Sequence, residues 1–389
     1  MFKHLKTSSS TEWPTSPNIF VMRFVLLLLL LTNPVRSAEK TTPAHVVNHL
    51  QRLYGEELRK FRFRANYPGG FSQWQDDWRS ELQKLMGLDR IERLNRFHRP
   101  RMGFAKELDF GEFTRQKCQI ETEPHVIIPF WMFRPKGDGP FPLAILPHGH
   151  DRIGHDTYAG VFHDAKHKER TLAGDRDVAM QAVCRGFIAI APAVRGLSVD
   201  GVPDIYARHD KRNCRSQLMH CLLAGRTAIG ERLWDMRKII DWAITLPKVD
   251  KSKILMMGNS GGGFVTMYAA ATDPRISIAV PSCSFDKLVA NDGRIYQCDC
   301  NTVPGILEHG GMADVVGLIA PRHLLIVNGH GDSLHNDADI RSESALVGRI
   351  YSAAGVRRRF DHRWGNDGHR FYKDLMWPFI MNALKEQSR

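Results

Sequence analysis

The sequence predicts an α/β fold: a mostly parallel central sheet covered by helices on both faces, with an N-terminal helical extension. Short apolar runs recur at residues 143–146, 187–191, 254–257, 276–281 and 324–328, as strands buried on both faces require. Amphipathic helical stretches lie between them. The clearest covers residues 226–245, where Ile229, Leu233, Met236, Ile240 and Ala243 share one face. A third observation is placement. His148 to Asp151, Ser260, Asp332 and His369 each follow a predicted strand, and in such sheets function gathers at strand C-terminal ends.

Taken in order, the chain opens with a charged Met22-Arg23, an apolar core with six leucines from Leu26 to Leu31, and a small-residue exit at Val35-Arg36-Ser37-Ala38. This is a secretory signal pattern, with Met22 as the expected start and cleavage after Ser37. The apolar run is too short to span a bilayer, so no stable membrane span is expected, and the protein is expected to be secreted or periplasmic. Residues 1–37 are thus leader and signal peptide. Helical spacing follows at Val46, Leu50, Leu53 and Leu58, and again at Trp74, Trp78, Leu82, Leu85 and Met86, with Pro68-Gly69-Gly70 between. These helices belong to an extension assigned to residues 38–112, and the catalytic domain is expected over 113–389. Strands are predicted at 117–123, 125–134 and 357–362. Helices are predicted at 176–185, 339–354 and from Lys373 onward. Residues 197–224 and 284–314 read as irregular and are expected to wall the pocket.

Lys and Arg total 54 against 42 acidic residues, a net charge of +12, but the surplus is spread along the chain. No basic pattern interleaved with aromatics reads nucleic acid. For an exported protein the charge favours acidic polysaccharide or anionic surfaces, although a solvated basic face explains it as well. The seven cysteines are an odd number, and export permits disulfides without fixing their pairing. Cys298 and Cys300 are too close to read as a zinc motif, and no second pair follows at ligand spacing.

The chemistry centres on Gly258-Asn259-Ser260-Gly261-Gly262, between an apolar strand and a helix-compatible run. This G-x-S-x-G spacing is that of a nucleophile elbow: the sharp bend presents Ser260 at a helix N-terminus, and side chains at either flanking glycine would collide across it. A lone serine is a weak nucleophile and needs a base oriented by a carboxylate. Asp332 ends a buried strand, and His369 lies in a Gly-His loop near the C-terminus, which gives the chain order nucleophile, acid, base. Asp337 and Asp339 are rival acids; His362, His335 and His330 are rival bases. The oxyanion donors are assigned to the N–H of Gly261 and, from the His148-Gly149-His150 loop, the N–H of His150. A metal reading of that histidine pair with His155 and His163 lacks a carboxylate-bearing ligand motif, so no metal and no organic cofactor is called for.

Together these residues resemble bacterial α/β-hydrolases of the acetyl xylan esterase and dienelactone hydrolase type, closest to abhydrolase family 7. Further marks are Trp78-Arg79-x-Glu81-Leu82, Leu146-Pro147-His148-Gly149-His150, Gly225-Arg226-Thr227 with Gly230-Glu231-Arg232-x-Trp234-Asp235, and Pro281-Ser282-Cys283. The series continues with Cys298-x-Cys300-Asn301-x-Val303-Pro304-Gly305, Ile326-Val327-Asn328-Gly329 and Gly368-His369-Arg370-Phe371. The resemblance implies a serine carboxylic-ester hydrolase that deacetylates a plant or algal polysaccharide or a small ester. Alternatives are a prolyl-oligopeptidase-like peptidase, disfavoured because no N-terminal propeller repeat is present, and a non-catalytic carbohydrate-binding protein of the same fold. One departure is Asp367, where such proteins often carry glycine; an acid there is expected to reorient the loop or stabilise the imidazolium.

Overall fold

Strands apolar on both sides need cover on both sides, and the molecule supplies it. The computed structural model describes residues 42–198 and 201–387; the expected leader and signal peptide lie outside the described residues. Two compact units divide at Val47 and Asn48, and all interactions discussed below lie in the larger. In chain order the elements are α1 (Ala44–Leu53), α2 (Gly70–Leu85), α3 (Leu88–Leu94), β1 (Arg101–Phe104), β2 (Leu108–Asp109), β3 (Phe113–Glu123), β4 (Val126–Pro135), β5 (Phe141–Ile145), α4 (Gly154–Tyr158), α5 (Ala165–Ala173), α6 (Val178–Val183), β6 (Ile188–Pro192), α7 (Asn213–Leu223), α8 (Ala228–Ala243), β7 (Val249–Asn259), α9 (Gly261–Thr272), β8 (Ile278–Ser282), α10 (Ile306–His309), α11 (Met312–Gly317), β9 (His323–Gly329), α12 (Asp337–Ala353), β10 (Phe360–Gly365) and α13 (Lys373–Gln387).

The strands form one sheet in the order β1-β3-β4-β6-β5-β7-β8-β9-β10, with β2 beside β3. From β6 to β10 every pairing is parallel, whereas β1 to β4 and the β4–β6 contact are antiparallel. Alternate residues of β7 serve two separate cores. Ile254 and Met256 face α8, α9 and α11; Leu255 and Met257 face α4, α6 and α13. That double duty leaves the strand no polar position between Ile254 and Met257.

Several elements differ from the sequence reading. Residues 101–109, grouped with the helical extension, are strands that pair with β3. The segment 197–224 contains α7, whose buried face is Cys214, Gln217, Leu218 and Cys221; half-polar, that face carries no hydrophobic stripe. Residues 306–317 form two short helices inside a stretch expected to be irregular. Arg357–Arg359 is a single 3-10 turn, and the strand begins at Phe360. The α2 helix is integral to the helical layer that covers the sheet. Arg79 donates to the carbonyls of Ala271 and Leu318 (3.0 and 3.1 Å), and Gln83 donates to that of Thr272 (3.1 Å). These groups satisfy carbonyls that the ends of α9 and α11 leave without helical partners.

A buried ion network ties the sheet to the loop after β6. Arg195 bonds Glu123 (2.7 Å) and both carboxylate oxygens of Asp235, and Arg226 bonds Glu123 (2.5 Å) and Glu231 (3.1 Å). Thr122 donates to Asp235 (2.6 Å), and Gln217 donates to Glu231 (2.8 Å). The Gly-Glu-Arg-x-Trp-Asp mark is therefore scaffolding: it clamps α8 to β3 and to the loop holding Arg195.

Two other buried acids carry a pH signature. Glu343 on α12 accepts from the N–H of Ala313 (3.0 Å), beside Asp314, which accepts from Gly311 and Phe63 (2.8 and 2.9 Å). Burial, aided by the neighbouring Asp314 charge, pushes the Glu343 carboxyl up to about 7, and burial pushes Asp314 up to about 6. A folded pKa raised above the ordinary 4.5 means full stability below pH 4.5, lost as pH rises through 7. Glu343→Gln is expected to match wild type near pH 4.5 and to exceed its stability at pH 8 by roughly 2–3 kcal/mol. Denaturant melts at the two pH values check this, and a pH-independent difference contradicts it.

Candidate active site

The bend between β7 and α9 places Ser260 at φ 56°, ψ −124°, a conformation that costs a non-glycine residue about 1–3 kcal/mol. Its neighbours impose it. A Cβ on Gly262 would lie 2.0 Å from the Pro147 carbonyl oxygen, and one on Gly258 would lie 2.4 Å from the Gly262 oxygen. The strand end, the helix start and the loop after β5 thus meet at backbone contact. Ser260 N–H donates to the Ser282 carbonyl (2.9 Å), fixing the bend to β8.

Asp332, three residues beyond β9, and His369, four beyond β10, meet through His369 Nδ1 and Asp332 Oδ2 at 2.6 Å. Burial opposes the Asp332 charge most strongly, but the His369 hydrogen bond, the His369 and His335 charges and the Leu334 N–H together outweigh it and hold the carboxyl below its ordinary range. The rivals are occupied elsewhere. Asp337 pairs with His330 (2.9 Å), Asp339 with Lys287 (3.5 Å), and His362 with the Asn328 amide oxygen (3.2 Å). His335 bonds Asp286 (3.3 Å) and the Cys283 carbonyl (3.2 Å). Burial works against a charge on His335, yet Asp286 and Asp332 raise its pKa, so a second imidazole stands 3.8 Å from the acid. Asp367 does not reach His369. Its carboxylate caps the Gly368 N–H (2.8 Å) and pairs with Arg370 (3.3 Å).

The His369 loop is positioned by residues whose part no sequence signal disclosed. Asn259, inside the elbow motif, and Ser282 both donate to the Arg370 carbonyl (3.3 and 3.1 Å). Arg370 itself pairs with Asp175 (2.7 Å). Gly329 lies against this loop so closely that a Cβ there would stand 2.4 Å from the Asp367 oxygen.

The loop after β5 brings Gly149 beside the elbow: a Cβ on Gly149 would lie 3.1 Å from the Gly261 nitrogen. Among the described residues neither the Gly261 nor the His150 N–H donates to a protein acceptor. His148 is structural. The Val194 N–H donates to its Nε2 (3.1 Å), which leaves the proton on Nδ1, facing the Gly149 carbonyl (2.7 Å). Burial drives its pKa down to about 4, consistent with a neutral ring. His155 and His163 both face Asp156 (3.6 and 2.8 Å), so the four histidines do not converge on one metal. His150 turns instead towards three thiols. Its Nε2 lies 3.3 Å from the Cys300 sulfur, and Cys298 and Cys214 complete the group. Spacing along the chain concealed this cluster, because its members come from three segments. All seven cysteines are free thiols.

Ser260, Gly261, His150 and His369 line one open cleft of about 1150 Å³. Its walls include residues 196–198, Gly201, residues 211–215 and residues 295–299, from the two segments the sequence suggested, together with Leu334 and His335.

No protein-family model matches the chain. YtaP of Bacillus subtilis (strain 168), described as a hydrolase, is 23% identical over 244 residues, 61% of this chain and 76% of YtaP. A Bacteroides fragilis structure described as an acetyl xylan esterase aligns with a TM-score of 0.69 at 17% identity, covering 90% of this chain and 97% of that one. The fold is that of an α/β-hydrolase. A glucuronoyl esterase from Solibacter usitatus gives a TM-score of 0.55 at 14% identity, covering 79% of this chain and 91% of its own. At these identities the likeness is one of fold.

Gly262→Ala tests the elbow geometry. Its methyl meets backbone rather than a movable side chain. The expected cost is at least roughly 1–3 kcal/mol of stability, the range for overpacking a tight site. An unchanged denaturation midpoint contradicts the close approach.

Proposed function

We propose that the chain is a secreted serine carboxylic-ester hydrolase that removes acetyl groups from a carbohydrate. The observation that carries this reading is the strained Ser260, presented into the cleft that His369, hydrogen-bonded to Asp332, also lines. With Nδ1 of His369 held by Asp332, Nε2 is the ring nitrogen available to Ser260. It takes the hydroxyl proton as Oγ attacks the ester carbonyl. The N–H groups of Gly261 and His150 receive the oxyanion, the first at the N-terminus of α9 where the helix dipole favours negative charge. Collapse expels the sugar alcohol, which takes the proton from His369. Water activated by the same imidazole then releases acetate and restores Ser260.

Carbohydrate is favoured by the cleft, which is open and larger than a typical small-molecule pocket. The names carried by the acetyl xylan esterase and glucuronoyl esterase neighbours point the same way. A second reading, an ester of an acidic sugar, has its own observation. Arg152 and Lys211 line the cleft, and among the described residues neither side chain forms an ion pair with a carboxylate, Lys211 meeting Asp204 only through its backbone N–H.

Acetate release from acetylated xylan, pectin and sulfated algal glycans, run beside methyl uronate esters and a proline-linked chromogenic peptide, separates these readings. Ser260→Ala is expected to lower turnover by about 10⁶-fold and Asp332→Asn by about 10⁴-fold, on the precedent of other serine hydrolases. Wild-type turnover in Ser260→Ala ends the proposal. Export is tested separately. The mature protein recovered outside the cytoplasm is expected to begin at Ala38, and an intact leader on that material contradicts cleavage after Ser37.

A further inference from the structure

We propose that His150, Cys214, Cys298 and Cys300 bind a zinc ion in the wall of the cleft. Their ligand atoms all lie within 4.8 Å of one another. Cys298 and Cys300 sulfurs are 3.6 Å apart, and Cys300 Sγ is 3.3 Å from His150 Nε2. A tetrahedral zinc with sulfur at about 2.3 Å and nitrogen at about 2.0–2.1 Å has edges of about 3.8 Å between sulfurs and about 3.5 Å from sulfur to nitrogen. The observed separations are close to those edges. They are far from the roughly 2.05 Å of a disulfide.

The surroundings suit a metal thiolate. Three thiolates and a neutral imidazole around Zn²⁺ carry a net charge of −1. A wholly buried cation stands beside them: Arg232 donates to the Cys300 carbonyl (3.2 Å) and the Asn301 side chain (3.0 Å), and its Nη2 has no protein partner among the described residues. Such outer groups orient ligands and offset their charge. Binding requires no redox step. Each cysteine ligates as the thiolate, and any thiol proton goes to solvent.

Four protein ligands fill a tetrahedron, so the ion has no open position for water and acts structurally. Its effect follows from where the ligands originate. His150 sits on the loop beside the elbow, Cys214 on α7, and Cys298 and Cys300 on the segment preceding α10. One ion therefore clips both cleft walls to the loop that carries an assigned oxyanion donor. Ligation through Nε2 also fixes the imidazole proton on Nδ1, the nitrogen nearest Gly261.

The test is metal analysis of the full chain, purified without chelators or a metal-affinity step, with free thiols titrated in parallel. One zinc per chain is expected. Replacement by Co²⁺ should give the ligand-field and sulfur charge-transfer bands of tetrahedral cobalt thiolate. Cys298→Ser and Cys214→Ser should each abolish stoichiometric zinc. No stoichiometric zinc in the native protein, together with no cobalt thiolate bands after reconstitution, overturns the site. So does a native disulfide among Cys214, Cys298 and Cys300 found by mass spectrometry. The wild-type cobalt spectrum needs no variant to fold. Zinc is read without substrate, so this result stands apart from the esterase reading.

Discussion

The close approach of Pro147 to Gly262 is the contact on which the site depends. It brings the loop after β5 against the start of α9, and only glycine leaves room for it. The same bend forces Ser260 into a backbone conformation that a side chain normally avoids. Strain of this kind persists only where the surroundings over-determine it. Here β7 is paired on both edges, and the Ser260 N–H is held by β8. Ser260, the N–H of Gly261 and the Gly149–His150 loop are consequently set by one packing event.

Asp332 and His369 arrive by a different route. Parallel β9 and β10 end side by side, and the loops beyond them fold back over the sheet edge. Hydrogen bonds from Asn259 and Ser282 to the Arg370 carbonyl join the His369 loop to the Ser260 bend, and the Arg370–Asp175 pair anchors it to the segment between α5 and α6. On the opposite side, Arg232 extends the α8 scaffold to the cysteine-bearing wall, while Arg195 secures the loop after β6. Breaking such buried charged contacts by removing one partner leaves an uncompensated group, which costs about 3–5 kcal/mol in comparable cases. The geometry of the cleft and the stability of the fold are thus held by overlapping sets of residues.

The sequence made the sheet legible because buried parallel strands are uninterrupted apolar runs, and it made the elbow legible because steric crowding demands glycine at fixed spacing. Ser260, Asp332 and His369 could be ordered along the chain because each follows such a strand. Other features left no local trace. The α7 helix buries cysteine and glutamine, which carry little hydrophobic signal. The strands at 101–109 are short and half exposed, so their pairing with β3 is set by the partner. The Cys–His cluster is a tertiary juxtaposition: Cys214 lies 84 residues from Cys298 and 64 from His150, and no ligand spacing along the chain announces it. Of the two roles expected for Asp367, the contacts among the described residues fit shaping of the loop and include none to the His369 ring. The Asp367 carboxylate faces the Gly368 amide and Arg370.

The central claim is that Ser260 is an activated nucleophile. Treatment of the native protein with a fluorophosphonate, followed by intact mass and peptide mapping, tests it most directly. The account predicts one adduct per chain, located on Ser260 and lost on prior unfolding. A native protein that remains unlabelled, or an adduct confined to another residue, contradicts it.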